Sequence, residues 1–144
     1  MARFAVAGRS TVAGTAVRAV ASIFATAAVT PRIYEVGVFN TTTTAVAVGL
    51  ARFTNATGVG AGLTEVSLDD PVHVAVATGF AGHTADGAVS GLVRAAVLGA
   101  AIGSGVVWTF GGTGLTIPAG TANGVGITCP TGTGQICDYW IEWD

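Results

Sequence analysis

The stretch AAVLGAAIGSGVVWTFGGTGLTIPAGTANGVGITCPTGTGQIC, from Ala95 to Cys137, holds 43 consecutive residues without an Asp, Glu, Lys, Arg or His. An uncharged run of that length has few structural outlets. A membrane-crossing helix needs about 20 consecutive, mostly apolar residues. Gly99, Gly103, Gly105, Gly111, Gly112, Gly114 and Pro118 break the run into shorter pieces, and Thr recurs through it. An outer-membrane barrel needs long strands with aromatic girdles, and this chain is only 8% aromatic. What remains is a stack of short strands. Their outer faces are coated by Thr, Ser, Asn and Gly or covered by other chains.

The rest of the sequence is equally short of charge. Only 10% of the 144 residues are charged, against about 25% in an average globular domain. All six basic residues are Arg, and eight acids give a formal net charge of -2. Neither the basic footprint of a nucleic-acid binder nor an acidic tail is present. Charge normally keeps a monomer soluble and apart from its neighbours, so this chain is expected to associate with itself. Its length suits one domain with a real core. The apolar segment VRAVASIFATAAV begins at Val17-Arg18, after a Gly/Thr-containing lead that includes Arg9. It therefore reads as structure rather than as a secretory signal.

The punctuation is that of an all-β chain. Short apolar runs alternate with Gly, Thr, Asn, Asp and Pro clusters about every ten residues, the spacing of a sandwich or barrel. Strands are expected over residues 3–7, 19–27, 32–39, 45–53, 72–78, 92–98, 106–110, 115–117, 124–129 and 135–143. Alternation supports them: Val46, Val48 and Leu50 share a face, as do Val106, Trp108 and Phe110, and Val125, Ile127 and Cys129. In the last strand Cys137, Tyr139, Ile141 and Trp143 oppose Asp138, Trp140, Glu142 and Asp144, an apolar face against a mixed one. The Ala-rich stretch STVAGTAVRAVASIFATAAV also has roughly helical spacing at Val17, Val20, Ile23 and Phe24. Its Thr and Val content and its surroundings favour strand.

Turn chemistry fills the gaps. FNTTTTAV, with Asn40 and four Thr, reads as a hairpin closed by side-chain bonds to local backbone. Asp69-Asp70-Pro71 opens the strand expected at 72–78. Pro118 belongs at a strand end, and Gly120 and Asn123-Gly124 are expected to supply positive φ.

Catalytic signatures are weak. With no Lys there is no Walker loop among the Gly-rich segments, and Ser104 in IGSGV is not a nucleophile elbow. His73 is expected on the polar side of its strand. His83 and Asp86 read as solvated loop residues. Cys129, Cys137, His73 and His83 lack zinc-ligand spacing, and Glu65, Asp69 and Asp70 follow no calcium-loop pattern. Glu35, Glu65 and Glu142 have no context that marks a glycosidase pair. No enzyme activity, cofactor or metal is expected. Cys129 and Cys137 flank PTGTGQ, and adjacent strands of one hairpin would bring them together. A disulfide and two buried thiols are then both open. Trp140 lies opposite Tyr139 and Ile141, so it is the aromatic placed for a subunit interface or a sugar-stacking surface.

RIYEVGVFNTTTTAVAVGLARF, GHTADGAVSG, LGAAIGSGVVWTFGGTGLTIPAGTANGVGI and TGTGQICDYWIEWD together resemble small virion proteins of tailed bacteriophages with high-GC hosts, namely capsid decoration (cement) and head-fibre modules. The likeness runs from about Arg32 to Asp144. It implies a single-domain, antiparallel jelly-roll β-sandwich of about 8–10 short strands over residues 31–144, often trimeric. Residues 1–30 would be an N-terminal arm, or first strands, docking on the capsid or a neighbour. The function it implies is structural: a virion protein on the capsid surface that binds the major capsid protein and its own copies, with no nucleic-acid or membrane partner. Arg3, Phe4, Tyr139 and Trp140 are the interface candidates. A receptor- or glycan-binding virion module is the rival reading.

Overall fold

The computed structural model describes residues 2–55 and 58–144. It contains twelve strands: β1 (Phe4–Arg9), β2 (Ala21–Phe24), β3 (Arg32–Asn40), β4 (Val46–Phe53), β5 (Ala61–Gly62), β6 (Val66–Ser67), β7 (Thr78–Ala81), β8 (Val89–Leu98), β9 (Gly105–Thr109), β10 (Leu115–Thr116), β11 (Gly124–Thr128) and β12 (Cys137–Trp143). One 3₁₀ turn, Gly111–Thr113, is the only helical element among the described residues. Among the described residues no helix is long and apolar enough to cross a membrane.

The strands form two antiparallel sheets. Sheet A has the order β10-β3-β12-β1-β6, with β9 also pairing β3, and sheet B has the order β5-β7-β2-β11-β4-β8. The expected all-β sandwich is therefore present, with more strands than the eight to ten expected because three of them, β5, β6 and β10, are only two residues long. Alternation drives the packing. Val36 and Val38 of β3, Val46, Val48 and Leu50 of β4, Val125 and Ile127 of β11, and Tyr139, Ile141 and Trp143 of β12 all point between the sheets and are buried. Each such side chain contributes about 1.5–3 kcal/mol by leaving water.

Residues 1–30 supply β1 and β2. β1 is an inner strand, paired along its length with β12 and at its start with β6. Phe4 and Val6 are core residues. An arm free to leave the sandwich would strip both from the core, so this segment is part of the body of the fold.

Three local expectations fail for long-range reasons. FNTTTTAV is not a hairpin: β3 lies in sheet A and β4 in sheet B. The segment crosses between sheets, and the buried Asn40 holds the crossing together. Its Nδ2 donates to the carbonyls of Thr44 (2.6 Å) and Gly99 (3.1 Å), and its Oδ1 accepts from the backbone N–H of Thr42 (3.0 Å). Residues 72–77 are not strand. Asp70 folds them into a turn through the N–H of Val72 (3.0 Å) and that of His73 (3.0 Å). Val72 and Val74 remain 76% and 83% exposed, so their alternation has no sheet to serve, and His73 is an exposed turn residue. Finally, within the turn 118–124 positive φ is confined to Gly120 (φ 122°). Gly124 is needed instead because the Phe24 ring lies where a Cβ would stand.

The outer face of sheet B carries a second, smaller core. Phe24, Ala51 and Phe53 are sealed there by Ala19 and flanked by Val59, Phe80 and Val89. Two segments lie over it. His83 N–H and Gly82 N–H donate to the carbonyls of Ala19 and Val20, Gly87 N–H donates to Val17, and Arg18 pairs with Asp86 at 2.6 Å.

Candidate functional site

The other outer face, that of sheet A, is open, and four strands in register build it as rows. Cross-strand pairing sets Gly105, Phe39, Asp138 and Arg9 in one row. The next row is Val107, Gly37, Trp140 and Ala7, and the third is Thr109, Glu35, Glu142 and Ala5. These positions alternate with the core residues of the same strands, so all of their side chains point outward.

Glycine shapes this face. Trp140 lies over Gly37, and Phe39 lies over Gly105; a Cβ at either glycine would overlap the ring. The two rings stack with centroids 5.2 Å apart and planes 22° apart. The indole N–H of Trp140 donates to Glu35 Oε1 at 2.9 Å. Glu142 stands directly opposite Glu35 and has no hydrogen-bond or ion-pair partner among the described residues. Like charges directly opposed in a sheet are unfavourable, so this pairing is not explained by stability. At the other end of the face, Arg9 clasps Asp138 with two bonds, Nε to Oδ1 at 2.6 Å and Nη2 to Oδ2 at 2.9 Å. The guanidinium holds the Asp138 carboxyl below its usual range. The surface thus offers a stacked, partly exposed aromatic pair bordered by carboxylate acceptors.

The other sequence candidates fall elsewhere. Tyr139 points into the core and Phe4 packs against Trp143 at 6.1 Å; neither is a surface residue, because both belong to the inward set of their strands. Arg3 is exposed, with its guanidinium 4.5 Å over the Tyr34 ring and its backbone N–H bonded to Asp69 Oδ2 at 2.6 Å. Cys129 and Cys137 do not share a hairpin, since Cys129 directly follows β11 of sheet B and Cys137 begins β12 of sheet A. Both are buried free thiols. Burial, with the nearby Cys129 and Asp138, pushes the Cys137 thiol up to about 12.

His83 is not solvated. It is buried between Phe24 and Phe53, with Nε2 2.8 Å from Ser22 Oγ, while Nδ1 has no partner among the described residues. Burial lowers its pKa to about 4, so it is neutral at pH 7. Asp86 faces Arg18 instead. No group of three or more metal-ligating side chains occurs among the described residues.

Sequence reasoning singled out Trp140 but missed Phe39, Gly37 and the pairing of Glu35 with Glu142. The outward set of β12 was legible. Its register against β3 was not.

One further surface is uncharged. On sheet B beyond the small core, Ala47, Leu92, Ala95, Val97, Pro130 and Thr131 line a shallow dish of about 360 Å³. It borders β8, the edge strand of that sheet, and Val97 is 77% exposed.

Comparison with models of protein families, with curated proteins and with solved structures finds no match to this chain.

Proposed function

We propose that this chain is a structural virion protein of a tailed bacteriophage. It decorates the capsid surface as a cement protein, bridging neighbouring copies of the major capsid protein, and associates with itself as a trimer. Under this reading the sandwich has jelly-roll connectivity. The frequent passage between sheets, at β1–β2, β2–β3, β3–β4, β5–β6, β6–β7, β8–β9, β10–β11 and β11–β12, supports that connectivity.

The observation that carries the proposal is the uncharged flank of sheet B. β8 is ten residues long and lies at an edge, and its only charge is Arg94. Unpaired edges are normally blunted by charge, proline or bulges. β8 is irregular against β4 around Val93 and Ser90, but its last four residues pair without a break. Beside that segment lie the dish and the exposed Val97, and the tip of the β8–β9 turn exposes Ile102. A surface of this kind is suited to a fixed neighbour, and symmetric repetition turns weak contacts into firm attachment.

Sedimentation of the purified chain tests the self-contact. A trimer that Val97→Arg converts to monomer is the expected result, and a wild-type monomer at all accessible concentrations would sink it. Locating the chain on the intact particle by electron cryomicroscopy tests the capsid contact. Its absence from the head surface would rule that part out.

A further inference from the structure

The geometry points to the outer face of sheet A as a carbohydrate-binding site. Trp140 and Phe39 form its stacking platform, and Glu142 with Glu35 accepts hydrogen bonds from the hydroxyls of a neutral sugar. Four observations converge. The indole is seated over Gly37, which leaves no room there for a side chain, and it remains partly exposed. Phe39, seated over Gly105, stacks on the indole and is itself partly exposed, so the pair presents one aromatic surface. Glu142 is an acceptor without a partner, in the row next to Trp140. Glu35 is fixed by the indole N–H, which occupies one of its oxygens and leaves the other able to accept.

Spacing matches the ligand. Adjacent strands lie about 4.8 Å apart, and residues two apart along a strand about 7 Å apart. The Trp140 ring and the two carboxylates therefore fall within the span of one sugar unit. Thr109 and Val107 on β9 and Ala7 on β1 border the platform with small or uncharged side chains, leaving room for a neighbouring unit. Charge favours a hydroxylated neutral ligand over an anionic one: the three rows hold Glu35, Glu142 and Asp138, and the cation within those rows, Arg9, is already clasped by Asp138. An anionic saccharide would meet two uncompensated carboxylates.

This inference does not depend on the virion reading. The platform is on sheet A and the proposed self-contact on sheet B, so the monomeric Val97→Arg variant should retain sugar binding.

The test uses the full chain on an array of neutral oligosaccharides (glucans, galactans, mannans and chitin fragments), followed by titration of the strongest hit. Binding to at least one class is expected. Trp140→Ala should weaken it at least tenfold. Glu142→Gln, which only relieves a like-charge opposition and so leaves the fold intact, should weaken it about tenfold, the size of a lost bond to a charged acceptor. Affinity for a neutral ligand should barely respond to added salt. The inference is overturned if no neutral glycan binds, or if binding survives Glu142→Gln unchanged. Preferential, salt-sensitive capture of Lys- and Arg-rich peptides would overturn it as well.

Discussion

Trp140 and Gly37 are direct cross-strand partners, and the indole occupies the space that any side chain at position 37 would need. The glycine is there for the ring. A methyl group would lift the indole off the sheet, break its 2.9 Å bond to Glu35 and disturb the stack on Phe39. Gly37→Ala should therefore cost about 1–3 kcal/mol, the usual penalty of overpacking. Urea unfolding followed by tryptophan fluorescence reads it as a lower midpoint with an unchanged slope. An unshifted midpoint would mean that the ring has room to spare.

Stability should fall with acid through a window set by His83. Its pKa is about 4 in the fold and about 6.5 when unfolded. Above pH 6.5 both states are neutral there and the residue contributes no pH dependence. Between 6.5 and about 4 the unfolded chain takes the proton first, and on the order of 3 kcal/mol is lost. Below about 4 the folded state is protonated too and this loss stops growing. Asp138, held low by Arg9, adds its own loss only as pH falls past the usual carboxylate range. Unfolding of wild type and His83→Leu at a series of pH values checks the assignment. The variant should start less stable, because Ser22 Oγ loses its buried partner, and should show a flat profile across that window.

Cys137 should be inert in the folded protein. A buried thiol with its pKa near 12 offers almost no thiolate at pH 8, and the thiolate is the reactive form. Reagents such as dithionitrobenzoate should label neither Cys137 nor the buried Cys129 in native buffer, and both within seconds in strong denaturant. Fast stoichiometric labelling of the native state would contradict this burial.

Asn40→Ala should be among the most damaging polar substitutions. It leaves the carbonyls of Thr44 and Gly99 without their donor in the β3–β4 crossing. Two partly buried acceptors losing a bond predict a cost of about 2–4 kcal/mol. Asn40→Asp keeps the acceptor for Thr42 but not the donor, so it should rescue little. Thermal unfolding of both variants would show it.

Removing residues 1–13 should unfold the chain rather than release a domain without an arm. The cut takes all of β1, and with it Phe4 and Val6 from the core and the β12 edge that they cover. Circular dichroism of the truncated chain that still showed cooperative melting would contradict the inner position of β1.

Much of the strand content was readable because alternation needs only local information. Val46-Val48-Leu50 and Tyr139-Ile141-Trp143 announce an inward face whatever they pack against. Which sheet a strand joins is decided by partners far away in sequence. That is why FNTTTTAV looked like a hairpin and why Cys129 and Cys137 looked like neighbours on one. His83 was misjudged for the same reason. A histidine between Gly82 and Thr84 looks like a loop residue until Phe24 and Phe53 close around it. The outer face of sheet A was half visible. Trp140 stood out on the mixed side of its strand, but the glycines beneath the rings gain meaning only once Gly37 meets Trp140 and Gly105 meets Phe39. A glycine at an outward strand position, two residues from an aromatic, was the available hint.

The three rows on sheet A draw on stretches as far apart as Arg9 and Glu142, and none of them exists on any single strand. Slipping β12 by one residue against β3 would turn Trp140 inward and present Tyr139 in its place. Any molecule that grips these rows can hold only a chain whose sheet has closed in its correct register, so occupancy of the face would act as a proofreader of assembly, favouring finished copies over those still misaligned.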